Sequence, residues 1–201
     1  EAGKLPRLLE WTDLRGSLHN HSTWSDGKLS MLEMARAAAK RGIKVIAFTD
    51  HSAGLGVANG MKMEDHKKQA AEIKKIQKQL GDEILILHGS EVEIKADGSL
   101  DYPDEFLASL DLVVASLHSS LRQPREKVTQ RLLNAIRNPH VDIIGHPTGR
   151  EIPDREGADL DMDAVFQAAA ESGVALEINA HPSRLDLDDA FARRAKDLGV
   201  L

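Results

Sequence analysis

The chain has 201 residues, of which 41% are hydrophobic and 29% charged, and its net charge is -6 with histidine neutral. This length suits one domain with a sizeable aliphatic core, and the negative charge excludes an ordinary basic nucleic-acid-binding protein. The absence of cysteine excludes disulfides and thiolate chemistry. The sequence shows no secretory signal and no apolar run of membrane length, so we expect a cytoplasmic protein without a membrane partner.

Strand-like and helix-like segments alternate after residues 1–12, which we expect to be a linker or tail. The strands are predicted at DLRGSLHNH, IKVIAFTD, EILILHG, DLVVASLH, VDIIGHP and VALEINA. The helices are predicted between Ser30 and Gly42, from Met63 to Leu80, from Pro103 to Leu110, after Pro124, from Asp161 to Ser172, and after Asp188. A small hairpin is predicted around Asp97 and Gly98.

Six strand–helix units in a row predict an α/β fold with a parallel sheet. The sheet either closes into a barrel or is doubly wound. A glycine-rich phosphate loop after the first strand would favour the doubly wound sheet, and the sequence has none there. The barrel is therefore the preferred interpretation.

Polar side chains follow each predicted strand at its carboxyl end. They are His19 and His21, Asp50 and His51, His88 and Glu91, His118, His146, and His181. In an α/β barrel these strand ends converge on one mouth, where so many buried titratable groups need a compensating charge. The pattern predicts a multinuclear metal site. Imidazole with carboxylate suits Zn²⁺, Mn²⁺ or Fe²⁺, and Glu91 is placed to bridge two ions.

Each of these residues also has a structural interpretation. A single strand-end histidine is more often structural than a ligand, and Asp26 in Ser-Asp-Gly is typical of a turn. His88 and His181 are possible additional ligands, whereas His66 is expected on a solvated helix face. Glu93 shares the face of Glu91, and we expect it to form an ion pair or support a ligand rather than bind metal.

The separated motifs HNHSTWSDG, TDHS, GSEVEI, ASLHSS and IGHPTGR together resemble the polymerase and histidinol phosphatase (PHP) domain. The stretches DGSLDYPDE, NPHVDIIGHPTGR and EINAHPSRLDL are most similar to the PHP domain at the carboxyl end of bacterial family X DNA polymerases. The resemblance covers residues 13–201 and implies a distorted (β/α)7 TIM-like barrel with three divalent ions at its mouth. It also implies a manganese-favoured phosphoesterase, which in family X polymerases is a 3′→5′ exonuclease acting on DNA 3′ ends in repair.

The resemblance also implies which residues bind the ions. The ligands are His19, His21 and Glu91 for the first ion, Glu91, His118 and His146 for the second, and Asp26 and His51 for the third. The catalytic set would be Glu91, His118 and Asp50, with Asp50 orienting His51. Substrate phosphate would be bound by Arg150 and, more weakly, by Arg184.

Two features depart from the family pattern. Its last motif, Asp-x-His at the end of a seventh strand, is absent from a sequence that ends at Leu201, and no polymerase module precedes Glu1. We therefore expect a piece of a longer polypeptide that lacks the last strand and helix, with the polymerase domain as its partner. The first and third ion sites would each be short of one ligand. A phosphomonoesterase of the histidinol phosphatase type and a metal-stabilised module without catalysis are the alternatives.

Overall fold

Six parallel strands form the centre of the molecule in the computed structural model, which describes residues 7–201. The strands are β1 Gly16–Ser17, β2 Val45–Phe48, β3 Leu85–Glu93, β4 Leu112–Ser116, β5 Ile143–Ile144 and β6 Ala175–Leu176. They pair in sequence order, β1-β2-β3-β4-β5-β6, and every neighbouring pair is parallel. A doubly wound sheet would reverse its order at a switch point, so this curled half-barrel confirms the predicted barrel type.

The helices return the chain between the strands. They are α1 Met31–Lys40, α2 Met63–Leu80, α3 Asp104–Leu107, α4 Arg125–Ile136, α5 Met162–Ser172 and α6 Asp189–Asp197. The Ser30 hydroxyl accepts from the backbone N–H of Glu33, and the Glu33 carboxylate accepts from the backbone N–H of Ser30. At α5 and α6 the N-cap side chain alone accepts: Asp161 from the backbone N–H of Ala164, and Asp188 from that of Phe191. The predicted helices are therefore confirmed, with shifts of a few residues at their ends.

The hydrophobic core lies mainly between the sheet and the helices. Ile73, Ile76 and Leu80 of α2 are buried against β2 and β3, while α4 and α5 cover the later strands. Every residue of β4 is buried. Since each buried Val, Leu, Ile or Phe side chain contributes about 1.5–3 kcal/mol, this packing fixes the positions of the strand ends.

Shorter features complete the fold. The predicted hairpin is confirmed by an antiparallel bridge between Ile94 and Leu100. At the edge of β6, the backbone N–H of Leu176 donates to the carbonyl of Leu201 at 3.0 Å. Residues 7–201 include no helix that is long and apolar enough to span a membrane. The predicted linker at 1–12 falls partly on residues 1–6, which lie outside the described residues, and it stays a prediction.

Candidate metal centre

One buried carboxylate at the end of β3 lies within a ring of imidazoles. Glu91 is 1% exposed. Its Oε2 atom lies 3.2 Å from His19 Nε2, 3.3 Å from His21 Nε2 and 2.9 Å from His51 Nδ1. These histidines follow β1 and β2, so neighbouring strands converge on one oxygen.

The second oxygen of Glu91 serves a different pair of histidines. Oε1 lies 3.1 Å from His118 Nε2 and 3.0 Å from His146 Nε2. These two residues follow β4 and β5, on the other side of β3. The carboxylate therefore offers one oxygen to each of two histidine groups, which is the geometry that a bridging ligand needs.

A third group includes the exposed carboxylate of Asp26. Asp26 lies 4.0 Å from His21 Nδ1 and 3.7 Å from His51 Nε2, and suitable ligand atoms of the three residues lie within 4.8 Å of one another. The turn returns Asp26 to this position because Gly27 packs against the backbone: a Cβ atom there would lie 2.2 Å from the His21 carbonyl oxygen. The structure thus brings together all seven side chains that the resemblance implied as metal ligands.

Several buried polar atoms of the centre lie near one another but have no hydrogen-bond partner of suitable geometry. They are His19 Nε2, His21 Nδ1, His51 Nδ1, His146 Nδ1 and both carboxylate oxygens of Glu91. Buried polar groups are normally paired, since an unpaired one destabilises the fold. A divalent cation is the partner that imidazole nitrogens and carboxylate oxygens share, and this donor set suits Zn²⁺, Mn²⁺ or Fe²⁺. The residues present therefore fit a metal site.

Proton affinities in the centre are strongly perturbed. Burial lowers the pKa of His19, but the charge of Glu91 and the hydrogen bond to Glu177 outweigh it and raise that pKa to about 10. Burial also lowers the pKa of His118, but the contacts with the Glu91 and Glu93 carboxylates outweigh it and raise that pKa to about 9. At His21 burial prevails and lowers the pKa to about 4. Metal binding at neutral pH therefore requires His19 and His118 to release protons.

Two further carboxylates orient the ligands from behind. Glu177 Oε1 lies 2.8 Å from His19 Nδ1, and Glu177 Oε2 accepts from the backbone N–H of His146 at 2.6 Å. Glu93 lies 2.7 Å from His118 Nδ1, which agrees with its expected supporting role. These contacts fix protons on Nδ1 and turn Nε2 toward Glu91. Sequence reasoning missed Glu177, although its place directly after β6 matches the positions of the other ligands.

Glu177→Gln is expected to weaken Mn²⁺ binding by about 10–100-fold, the usual range for residues that orient metal ligands. His19 and His146 contact different oxygens of Glu177, and an amide keeps only one of these as an acceptor, so one contact is lost. Calorimetric titration with Mn²⁺ measures the effect, and Glu171→Gln, exposed on α5, is the matched control. Equal isotherms for the two variants would show that Glu177 does not support the ligands.

The structure places Asp50 differently from the prediction. Its carboxylate accepts from the backbone N–H and hydroxyl of Ser22, the hydroxyl of Ser25 and the amide of Gln69. We expected Asp50 to orient His51, but none of these hydrogen bonds joins it to the His51 ring, whose nitrogens point toward Glu91 and Asp26. Asp50 therefore acts on the loop between β1 and α1.

Two histidines lie apart from the centre. His88 Nε2 contacts Gln69 and His66 behind β3, so the structure does not bring His88 to the metal ligands. His66 is 1% exposed and packs edge-on against Tyr102 and Phe106. The expectation that His66 is solvated is therefore wrong. Helix α2 directs this polar residue inward. Its hydrogen-bond partners come from other segments of the chain, so the sequence of the helix does not reveal them.

His66, which lies outside the metal centre, should make the free energy of unfolding depend on pH. Burial, and next the charge of His88, lower its pKa from 6.5 to about 4. Between these values the unfolded chain binds a proton that the folded protein excludes, so the free energy of unfolding falls as pH falls. The expected slope is up to about 1.4 kcal/mol per pH unit.

Denaturant unfolding of the metal-free protein at pH 4 to 7 tests this dependence. His66→Gln should lose that part of the slope, while His140→Gln, a histidine outside the buried pair, should keep it. Parallel pH profiles for His66→Gln and the unaltered protein would contradict the prediction.

The ligands open into a cavity of about 500 Å³. Its rim contains His181 and Arg184, as predicted, together with Glu151 and Arg155, which the sequence reasoning missed. The structure does not bring Arg150 to this rim: its guanidinium donates to the backbone carbonyl of Arg184 at 2.7 Å and to that of Leu185. The expected phosphate-binding role of Arg150 therefore has no support from its position.

The match to known families agrees with this geometry. The PHP domain model matches residues 17–181, most of the chain. The chain belongs to the PHP domain family. This assigns it to a family of metal-dependent phosphoesterases and confirms the resemblance drawn from the motifs.

Two relatives show how PHP domains occur. The chain is 47% identical over 193 residues to the DNA polymerase/3′-5′ exonuclease PolX of Bacillus subtilis, and the match covers 96% of this chain and 34% of that protein. The chain thus spans about a third of the length of this relative. It is also 35% identical to a probable phosphatase of Thermoanaerobacter sp. (strain X514), covering 90% of this chain and 74% of the relative.

Solved structures share the fold at low sequence identity. Histidinol phosphate phosphatase from Lactococcus lactis, solved with zinc, L-histidinol and phosphate, gives a TM-score of 0.62 at 19% identity and covers 92% of this chain and 82% of its own. A histidinol phosphatase homologue from Listeria monocytogenes gives 0.66 at 14% identity, with 92% of each chain covered. Both support the PHP type of barrel.

Proposed function

We propose that this protein is a metal-dependent phosphoesterase that removes nucleotides from DNA 3′ ends, as the exonuclease part of a PolX-type DNA polymerase. The observation that carries the proposal is the division of Glu91 between two histidine groups, with the Asp26 group beside them in one cavity. The 47% identity to a protein named polymerase and 3′-5′ exonuclease supports the DNA substrate and a polymerase partner in the same polypeptide.

The chemistry follows from the charges that the cavity holds. Bound divalent ions would supply Lewis-acid polarisation of a phosphoryl oxygen and would acidify water near neutral pH. The surrounding carboxylates set the protonation of the ligands. Glu177 holds a proton on Nδ1 of His19 and Glu93 holds one on Nδ1 of His118, which leaves each Nε2 free to bind metal. Asp26 lies at the exposed edge of the centre and lines the cavity.

The surroundings of the centre suit a substrate larger than phosphate. Arg155 and Arg184 both contact Glu151, at 3.3 and 3.2 Å, which holds two guanidinium groups at the rim. The rim near β2 is apolar and includes Leu55 and Val57, of which Val57 is 94% exposed. Guanidinium groups bind phosphate oxygens well, and an apolar surface suits a sugar or base. A nucleotide unit combines both features.

Turnover of three substrates with Mn²⁺ tests the proposal. The substrates are a labelled oligonucleotide, a chromogenic phosphodiester and a chromogenic phosphomonoester. We expect stepwise shortening of the oligonucleotide from its 3′ end and faster turnover of the diester than of the monoester. His118→Ala controls for a contaminating nuclease, since it removes a metal ligand. Bound metal without turnover of any substrate would instead support a structural module.

A phosphomonoesterase is the second candidate function. The 35% identity to a probable phosphatase over 90% of this chain favours it. This alternative predicts that the monoester is turned over faster than the diester and that the oligonucleotide stays intact. The same three-substrate assay therefore distinguishes the two functions.

A further inference from the structure

A row of buried polar side chains connects helix α2 to the loop of residues 21–27. In that loop, the backbone N–H and the hydroxyl of Ser22 donate to the Asp50 carboxylate at 2.7 and 2.8 Å. The Ser25 hydroxyl donates to it at 2.7 Å. From the other side, Gln69 of α2 donates its amide at 2.6 Å. Both Asp50 and Gln69 are 0% exposed.

The hydrogen bonds beyond Gln69 have a defined direction. Since its Nε2 donates to the carboxylate, its Oε1 accepts from His88 Nε2 at 3.1 Å. Tyr102 donates its hydroxyl proton to the Met61 carbonyl, so its oxygen accepts from His66 Nε2 at 3.1 Å. His66 Nδ1 is then free to accept from His88 Nε2 at 3.3 Å, so the single N–H of His88 is shared between Gln69 and His66. Every member thus has a partner, with both histidines neutral.

We infer that Gln69 is a positioning residue for the ion site formed by His21, Asp26 and His51. It contacts none of these ligands. It holds Asp50, which in turn fixes Ser22, directly after His21, and Ser25, directly before Asp26. The inference rests on the proposed metal-dependent function.

The chemistry of this position favours an amide. The Asp50 carboxylate needs a donor from α2, while His88 needs an acceptor, and a primary amide supplies both. Leucine would remove one of the two donors to the buried Oδ2 atom of Asp50 and leave only the Ser22 hydroxyl. A carboxylate in place of the amide would put two like charges in contact. In either case the carboxylate shifts, and the loop carrying the two ligands shifts with it.

Ion binding by Gln69→Leu and Gln69→Glu tests the inference, with Gln79→Leu, exposed on the same helix, as the matched control. Calorimetric titration with Mn²⁺ and anomalous diffraction at the manganese edge give the affinity and occupancy at each site. We expect about tenfold weaker binding at the His21–Asp26–His51 site. The ion between Glu91, His118 and His146 should keep its affinity, because Gln69 does not act on those ligands.

A second readout needs no metal. In the metal-free protein, the backbone amide proton of Ser22 should shift upfield in both Gln69 variants as its hydrogen bond to Asp50 lengthens. Ser25→Ala removes another donor to Asp50, should weaken the same site in the same direction, and disturbs folding less. Unchanged ion affinity, or equal weakening at both sites, in the folded variants overturns the inference. Absence of ion binding in the unaltered protein would instead overturn the proposed function.

Discussion

Glu91→Gln is expected to lower phosphoester turnover and Mn²⁺ affinity by more than about a hundredfold while the protein stays folded. Glu91 presents one oxygen to His19, His21 and His51 and the other to His118 and His146. An amide is neutral, so both histidine groups lose their anionic partner. It also replaces one acceptor oxygen with a donor group, which faces one of the two histidine groups. The bridge between two ions would be broken.

The control for this change is Glu105→Gln, an exposed residue of α3. It removes the same charge from the chain and leaves the centre intact, so turnover and Mn²⁺ affinity should equal those of the unaltered protein. Circular dichroism shows whether both variants are folded. Retention of most of the turnover by a folded Glu91→Gln variant would show that the Glu91 carboxylate is not needed for phosphoester hydrolysis.

Metal removal is expected to produce the second large effect, a loss of thermal stability. An ion held at a hundredfold excess over its Kd stabilises the folded state by about 2.7 kcal/mol. For a domain of this size that corresponds to a rise in Tm of roughly 5–10 °C for each bound ion. The orphaned nitrogens of His19, His21 and His51 and the oxygens of Glu91 give the physical reason, since the ion supplies their partner.

Thermal unfolding in EDTA and in excess Mn²⁺ measures this difference. Most of the stabilisation should be lost in Glu91→Gln and kept in Glu105→Gln, which separates binding at the centre from binding to surface carboxylates. An unaltered protein whose Tm is the same in EDTA and in Mn²⁺ would contradict the prediction.

The strand ends were predictable from the sequence, whereas the partners of their side chains were not. His19, His21, His118 and His146 follow apolar strands directly, and parallel strands in sequence order bring such positions to one mouth. The prediction required only that the strands form and pair in order. The motif resemblance added Asp26, whose position depends on a turn.

The errors concern contacts between distant segments. Asp50 precedes His51 in sequence but binds Ser22, Ser25 and Gln69, because burial of its carboxylate requires several donors. His66 belongs to a lysine-rich helix, so the sequence predicts that it faces solvent. In the structure it is buried, and Tyr102 and His88 supply its hydrogen bonds. No local pattern identifies such partners.

The charged residues at the rim of the cavity were predicted least well. Arg150 and Arg155 are both charged residues of the same loop, and sequence reasoning chose Arg150. The structure places Arg155 on the cavity and directs Arg150 toward the carbonyl of Arg184. Side-chain direction in a loop depends on the neighbouring loop that it packs against, so the distinction required the fold.

The most direct test of the metal centre is an anomalous difference map at the manganese edge, from crystals of the protein grown with Mn²⁺. We expect strong peaks on both sides of Glu91, one beside His19 and His21 and one beside His118 and His146, and we expect both to be lost in Glu91→Gln. Peaks confined to surface carboxylates, with none in contact with Glu91, would contradict it.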